Sequence, residues 1–257
     1  MATPILTQYT PAHRVLFDEH FMATLPAGIE VRAERTDLAG PGDFASPEYH
    51  ACVMNKLPII LRALDEERDQ KDGMLVWSDV DIQFFDFSMA DLEADLARSG
   101  KDALFQQEGV SWADGHREFN SGFFIFRRSE KIRAFFEAAL EMMRGKECPY
   151  DQHVMNRMLA AKPWIEWDCL SLRYYARTHG FPPPRDAILH HATCSLKNSV
   201  QAKIEQMRLV RQAVQGGTLA RLSACAQVAL EKGPAQMLSA VRRRVFPARP
   251  AEPPAQL

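Results

Sequence analysis

The chain has 257 residues, 46% hydrophobic and 25% charged, and a net charge of −2. This mix excludes collagen-like, disordered and disulfide-scaffold classes. The length suits one large domain, or one domain with an appendage.

Residues 4–9 form a short apolar run, read as a buried first strand. Residues 12–25 place Val15, Leu16, Phe21, Met22 and Leu25 at helical spacing, and residues 28–33 alternate as a strand does. A loop rich in Gly, Pro and Asp covers 37–47. A helix is expected over 48–67, with Pro58 as a point of kinking. Residues 73–86 read as an apolar strand running straight into carboxylates. Leu92–Leu96 lies in a predicted helix. Strands are expected at 102–107 and 121–127, helices at 130–144 and 151–160, and a late strand at 187–191. Residues 199–231 are helical in pattern. Strands alternating with helices predict an α/β domain with a mainly parallel sheet. The expected division is a domain at 1–205 and a helical, basic appendage at 206–257.

Residues 206–257 hold eight basic and two acidic residues, so they carry +6 and residues 1–205 carry −8. The segment Arg242-Arg243-Arg244 is followed by a Pro-rich end. A solvated helical appendage is the preferred reading, and contact with an anionic membrane or an acidic partner is the alternative. Nucleic-acid binding is not expected, because the basic residues lack interleaved aromatics. The five cysteines, Cys52, Cys148, Cys169, Cys194 and Cys225, form no CxxC pair. They read as reduced thiols in a cytoplasmic protein rather than a zinc site. No signal peptide is read at the first residues, and no apolar stretch reaches the roughly 18 residues of a spanning helix.

The strongest local signal is Asp79-Val80-Asp81 after Leu75, Val76 and Trp77. In an extended segment, residues i and i+2 share a face, so both carboxylates point one way. The carboxyl end of a parallel strand is where open α/β sheets bind ligands. A divalent cation relieves the repulsion of two carboxylates, and hard oxygen ligands suit Mg²⁺ or Mn²⁺. Two solvated turn aspartates are the plain alternative.

Trp77 to Phe85 resembles the DxD segment of GT-A glycosyltransferases, and specifically the nucleotide-diphospho-sugar transferase family. Four more blocks agree in order. Ser46–Leu64 with Lys56 resembles the family's helix before the DxD, and Asn120–Arg127 its Asn-[Ser/Thr]-Gly-aromatic strand. Tyr150-Asp151-Gln152 resembles its Asp-Gln segment. His190-His191-Ala192-Thr193 resembles its late His-Ala-Asn block, with Thr193 in place of Asn. The Gly that usually follows is replaced near Lys197. The resemblance spans about residues 3–205. It implies a GT-A-like, Rossmann-type three-layer domain.

It also implies roles. Asp79 would touch the metal or the ribose, Asp81 would be the main ligand of Mn²⁺ or Mg²⁺, and His191 would close the metal site. His190 and His191 point to opposite faces if extended, so only one can do this; His191, which precedes Ala192 as in the family block, is chosen. The donor would be a nucleotide-diphospho-sugar, UDP-linked in preference to GDP-linked, and the acceptor a glycan, lipid or protein. Lys197 and Lys203 would reach the phosphates, unless Lys203 is an exposed helix lysine. Asn120, Asp151 and Gln152 would contact sugar, although Asp151 also reads as a plain N-cap. Gly122 would let a ligand approach the backbone, and a strand start with a bulge is the plain alternative. Thr7 and Tyr9 would flank the base, with Tyr9 stacking on it or packing in the core. Arg14, Lys56 and Glu108 are lesser candidates. No pair of acids identifies a general base.

Two other functions fit a DxD. A haloacid-dehalogenase-type phosphatase would use Asp79 as nucleophile and Asp81 as acid and base. Against it, Ile82-Gln83 stand where that class has a small or hydroxyl residue and Gly. A non-catalytic carbohydrate- or lipid-binding module is the third reading, and retention of both carboxylates with a late histidine argues against it.

Overall fold

A computed structural model describes the chain at residues 2–38, 40, 47–66, 73–110, 117–145, 150–193 and 200–232. Lys197 and the arginines at 242–249 lie outside these residues. The strands and α-helices are β1 (Ile5–Tyr9), β2 (Val31–Arg35), α1 (Pro47–Glu66), β3 (Met74–Ser78), β4 (Ile82–Phe84), α2 (Met89–Ser99), β5 (Ala103–Val110), β6 (Arg117–Arg127), α3 (Glu130–Arg144), α4 (Asp151–Ala161), β7 (Trp167–Cys169), β8 (Tyr174–Ala176), β9 (Leu189–His191), α5 (Val200–Gln215) and α6 (Gly217–Lys232).

Six strands form the central sheet in the order β2-β1-β3-β6-β5-β7. Only β6 runs against its neighbours, so the sheet is mainly parallel, as expected. Side chains alternate across it. Leu75, Trp77, Phe105, Phe124 and Phe126 pack with residues of α1, α3 and α4 on one face. Val76, Leu104, Phe123 and Ile125 pack on the other, against Leu92 and Leu96 of α2 and Phe84, Tyr174 and Leu189. The last three belong to a second, three-stranded sheet, β4-β9-β8. This gives three layers, and the cores between them exclude water from large apolar areas.

Several local readings change. The segment expected as one strand over 73–86 is two: β3 joins the large sheet and β4 the small one. Asp79–Asp81 form the turn between them. The strand expected at 28–33 lies at Val31–Arg35, because Gly28 takes φ +86° in a turn. Residues 12–25 are helical, but with a 3₁₀ turn at Pro11–His13 and a π-helical stretch at Leu16–Met22. Phe17 and Phe21 there continue a ring ladder from Tyr9 to Phe84. α1 runs on through Pro58. β7 and β8 have three residues each, too few to display a period.

The C-terminal helical segment is two helices, broken at Gly216-Gly217. Gly217 has φ +73°, and a Cβ at Gly216 would meet the Gln212 carbonyl at 2.6 Å. The boundary expected at 205 falls inside α5. Met207 of that helix is buried with Leu16 and Ala192, while Leu209, Val210 and Ala213 are buried with Tyr175 and Phe181. Among the described residues, Cys52, Cys169 and Cys225 are not disulfide-bonded, and no helix is long and apolar enough to cross a membrane.

Candidate active site

A cleft of about 340 Å³ opens at the carboxyl ends of β1 and β3, beside the first half of β6. One irregularity of the sheet shapes it. Between the pairs Phe105↔Phe124 and Gln106↔Asn120, β5 advances one residue and β6 advances four. The bulge pushes Asn120, Ser121 and Gly122 into the cleft wall. Two backbone N–H groups of this stretch of β6 are met from α4. Ser121 N–H donates to Gln152 Oε1 (3.3 Å) and Phe119 N–H to Asn156 Oδ1 (3.1 Å).

Asp79, Asp81 and His191 converge here, each offering one ligand atom within 4.8 Å of the others. The convergence is built from backbone bonds. Asp79 N–H donates to the Gly122 carbonyl at 2.7 Å, and Ala192 N–H to the Asp81 carbonyl at 2.9 Å. β4 and β9 pair Ile82 with His191, so the second carboxylate and the histidine lie side by side. His191 Nε2 stands 3.3 Å from Asp81 Oδ1.

The other ring nitrogen of His191 is assigned by its neighbour. Gln106 is fully buried and donates through Nε2 to the Tyr174 carbonyl at 3.2 Å. Its Oε1 is therefore the atom facing His191 Nδ1, at 2.8 Å. An amide oxygen only accepts, so Nδ1 carries a hydrogen and donates. The ring lies against Gly122, where a Cβ would strike its Cε1 and stand 2.8 Å from Nδ1 and 2.9 Å from Asn120 Oδ1. Gly122 was expected to admit a ligand; the close approach is made by His191 itself.

The same strand turns His190 the other way. It is wholly buried, stacked on Tyr175, with Nδ1 accepting from Gln83 (3.0 Å) and Nε2 donating to Gln206 (3.1 Å). Burial pushes its pKa down to about 3.

Two lysines face the carboxylates. Lys56, 5% exposed on α1, lies 2.9 Å from Asp151 and 3.3 Å from Asp79. Burial opposes its charge, but these two carboxylates outweigh burial and hold the ammonium above the usual lysine range. Lys203, on α5, reaches Asp81 Oδ2 at 2.7 Å. Burial likewise opposes ionisation of Asp81, yet Lys203 and His191 hold that carboxyl well below the usual range. At Asp79 burial prevails, helped by the charge of Asp81 and opposed by Lys56, and its carboxyl is raised.

The remaining expected residues divide. Asn120 lines the cleft, but its Oδ1 accepts from Gly122 N–H (2.8 Å) and its Nδ2 donates to Glu108. It presents Glu108 rather than a free amide. Asp151 is the first residue of α4, and its carboxylate faces Lys56 instead of capping the helix. Tyr9 lines the cleft and stacks on Phe17 at 4.4 Å. Thr7 is fully buried and not in the cleft wall, and Arg14 is exposed in a pair with Asp18.

Sequence reasoning misses Gln106, Thr193 as a lining residue and the aromatic wall of Tyr49, Tyr150 and His153. His50 behind it bonds the Tyr150 hydroxyl at 3.1 Å. Tyr150 stands out in the sequence only as part of the Asp-Gln block. Gln106 ends a predicted strand, which carries no functional signal.

An acidic cleft at the strand ends of a three-layer, mainly parallel sheet defines the class. Solved glycosyltransferases share the fold. One is involved in the glycosylation of the major capsid of PBCV-1; its TM-score is 0.54 at 15% identity, covering 81% of this chain and 100% of that one. Another is GlyE of Streptococcus pneumoniae TIGR4, with TM-score 0.50 at 9% identity, covering 77% of this chain and 56% of that one. The profile of the nucleotide-diphospho-sugar transferases matches residues 22–207, and the chain belongs to that family. No curated protein matches the sequence. Family membership makes the chain a glycosyltransferase and sets aside the phosphatase and binding-module readings of the two carboxylates.

Proposed function

We propose that the chain moves a sugar from a UDP-linked donor to a glycan acceptor, with Mn²⁺ or Mg²⁺ held by Asp79, Asp81 and His191. One observation carries the metal assignment. With Nδ1–H committed to Gln106, His191 Nε2 and Asp81 Oδ1 are two electron-pair donors 3.3 Å apart. Such a pair needs a cation or a proton between them. Two carboxylates and an imidazole fit Mn²⁺ or Mg²⁺. A second observation supports a ligand alongside: the buried Thr193 hydroxyl lines the cleft with no hydrogen-bond partner among the described residues.

When bound, the cation would neutralise charge growing on the leaving diphosphate. The chain's own groups do the rest. Lys203, with Lys197, offers ammonium groups to the phosphates. Glu108, Gln152 and Asp151 supply acceptors and donors of the kind sugar hydroxyls use. Tyr9, at the end of β1, offers an apolar edge to the base. The half-buried rings of Tyr49 and Tyr150 offer faces on which sugar C–H groups pack.

A thermal-shift panel of UDP-, GDP-, ADP- and CMP-sugars, each with and without Mn²⁺, tests this reading. A ligand bound only by the native state raises apparent stability, so the UDP-sugars should raise Tm, and more with Mn²⁺. A larger shift from another nucleotide would reassign the donor. Equal shifts with Mn²⁺ and with EDTA would remove the metal.

A further inference from the structure

The two lysines of the cleft are held in different ways. The Lys56 ammonium is shared among Asp79, Asp151 and the Ser121 carbonyl (3.1 Å), and lies 5.3 Å from the centre of the Trp77 ring. It is a fixed part of the wall. Lys203 instead extends from the first turn of α5 to one oxygen of Asp81, at 2.7 Å, while His191 faces the other oxygen. That is where the metal reading puts a cation.

We infer that Lys203 is a placeholder cation. Without nucleotide, its ammonium takes an oxygen of Asp81 that the divalent ion uses. It gives that oxygen up when the ion arrives together with a diphosphate. The inference rests on the metal reading above.

The packing of α5 gives the reason. The helix cannot carry the lysine away. Gln206 on the next turn accepts from His190, and the Met207 carbonyl accepts from Gln83 at 2.9 Å. Met207 itself is fully buried. A displaced Lys203 ammonium therefore stays within one side-chain length of the ion. Two positive charges that close repel strongly at the screening of a half-buried site. A bare metal ion must remove an ion pair and then sit beside the ammonium it displaced. A metal ion with a diphosphate meets neither cost, because phosphate oxygens give the ammonium a new partner. Lys203 thus suppresses binding of the ion alone and favours the ion and nucleotide together.

The charge of Lys203 then has opposite effects on the two ligands, which a merely structural lysine does not produce. Full-length, nucleotide-free protein is titrated with Mn²⁺, with free ion read by electron paramagnetic resonance. UDP is titrated by calorimetry at saturating Mn²⁺. Lys203→Met and Lys203→Gln should each bind Mn²⁺ alone about tenfold more tightly than wild type and UDP about tenfold more weakly. Lys203→Arg should keep the weak binding of Mn²⁺ alone. Unchanged or weaker affinity for Mn²⁺ alone in folded Met and Gln variants, with Mn²⁺-dependent UDP binding intact in wild type, overturns the placeholder and leaves the metal site standing. Wild-type UDP affinity that is the same in Mn²⁺ and in EDTA overturns both.

Discussion

His190 and His191 are neighbours on one three-residue strand, and they face two buried polar regions of opposite kind. On the α5 side, Arg211, Gln83, His190 and Gln206 form a chain of hydrogen bonds. Gln83 donates to His190 and to the Met207 carbonyl and accepts from Arg211 Nε at 3.2 Å; Gln206 accepts from His190 and donates to the Thr193 carbonyl at 3.4 Å. The imidazole is neutral, with its hydrogen on Nε2. On the cleft side the hydrogen of His191 is on Nδ1, and its Nε2 meets a carboxylate. The first region pairs both ring nitrogens of its histidine within the protein and holds a helix in place. The second leaves acceptors facing one another and calls for something from solution. A polar cluster that is closed is structural, and one that is open by a single cation is a candidate site.

Five variants test the contrast between the closed and the open side. The largest effect is expected from Asp81→Ala, which removes a ligand and the partner of Lys203. Mn²⁺-dependent UDP binding by calorimetry should be lost, and transfer should fall at least about a hundredfold with the fold retained by circular dichroism. Unchanged UDP–Mn²⁺ affinity would show that the cleft side is closed as well. Gly122→Ala comes next. Its Cβ and the His191 ring cannot occupy the same space, so the ring is driven out or β6 shifts. Mn²⁺ affinity should fall by more than tenfold, about 1.4 kcal/mol, with a lowered Tm.

His191→Ala should lower metal affinity and transfer rate together by about tenfold. Gln106→Leu leaves the ligands present but releases the tautomer. Losing a partner of this kind costs about tenfold in metal affinity, and here the low end of that effect is expected. His190→Ala should leave metal affinity nearly unchanged. It strands Gln83 and Gln206, and each buried unpaired group costs about 1–3 kcal/mol, read as a Tm lowered by several degrees. If His190→Ala instead weakened Mn²⁺ binding more than His191→Ala, the assignment of the two faces would be reversed.

The alternation that separates His190 from His191 is legible in the sequence alone, because side chains of an extended segment point to opposite faces whatever the fold. Asp79 and Asp81 are legible as a motif but not by alternation, because in the folded chain they lie in the turn between β3 and β4 rather than in an extended segment. Gln106 and Asn120 are not legible in the same sense. Gln106 reads as the polar end of a strand, and its pairing with His191 spans 85 positions. Asn120 reads as a sugar ligand by its motif, yet the bulge folds its amide onto Gly122 and Glu108. The Gly in this strand allows a bulge to be read here, but which side chains the bulge folds inward is decided by both strands together.

The α/β class with its mainly parallel sheet, and the position of the two carboxylates after an apolar strand, are written in the sequence, since both follow from local periodicity and from apolar runs that must be buried. So, through ordered motif blocks, is the family. Only the folded chain shows that the carboxylates turn it from one sheet into another, and that one helix running across the boundary expected at 205 sets Lys203 against Asp81. Only there does Gly122 prove to seat a histidine 69 residues further on. The cause is range. Periodicity and propensity act over a few residues, whereas ion pairs and steric contacts act over a few ångströms, and only folding converts the one distance into the other.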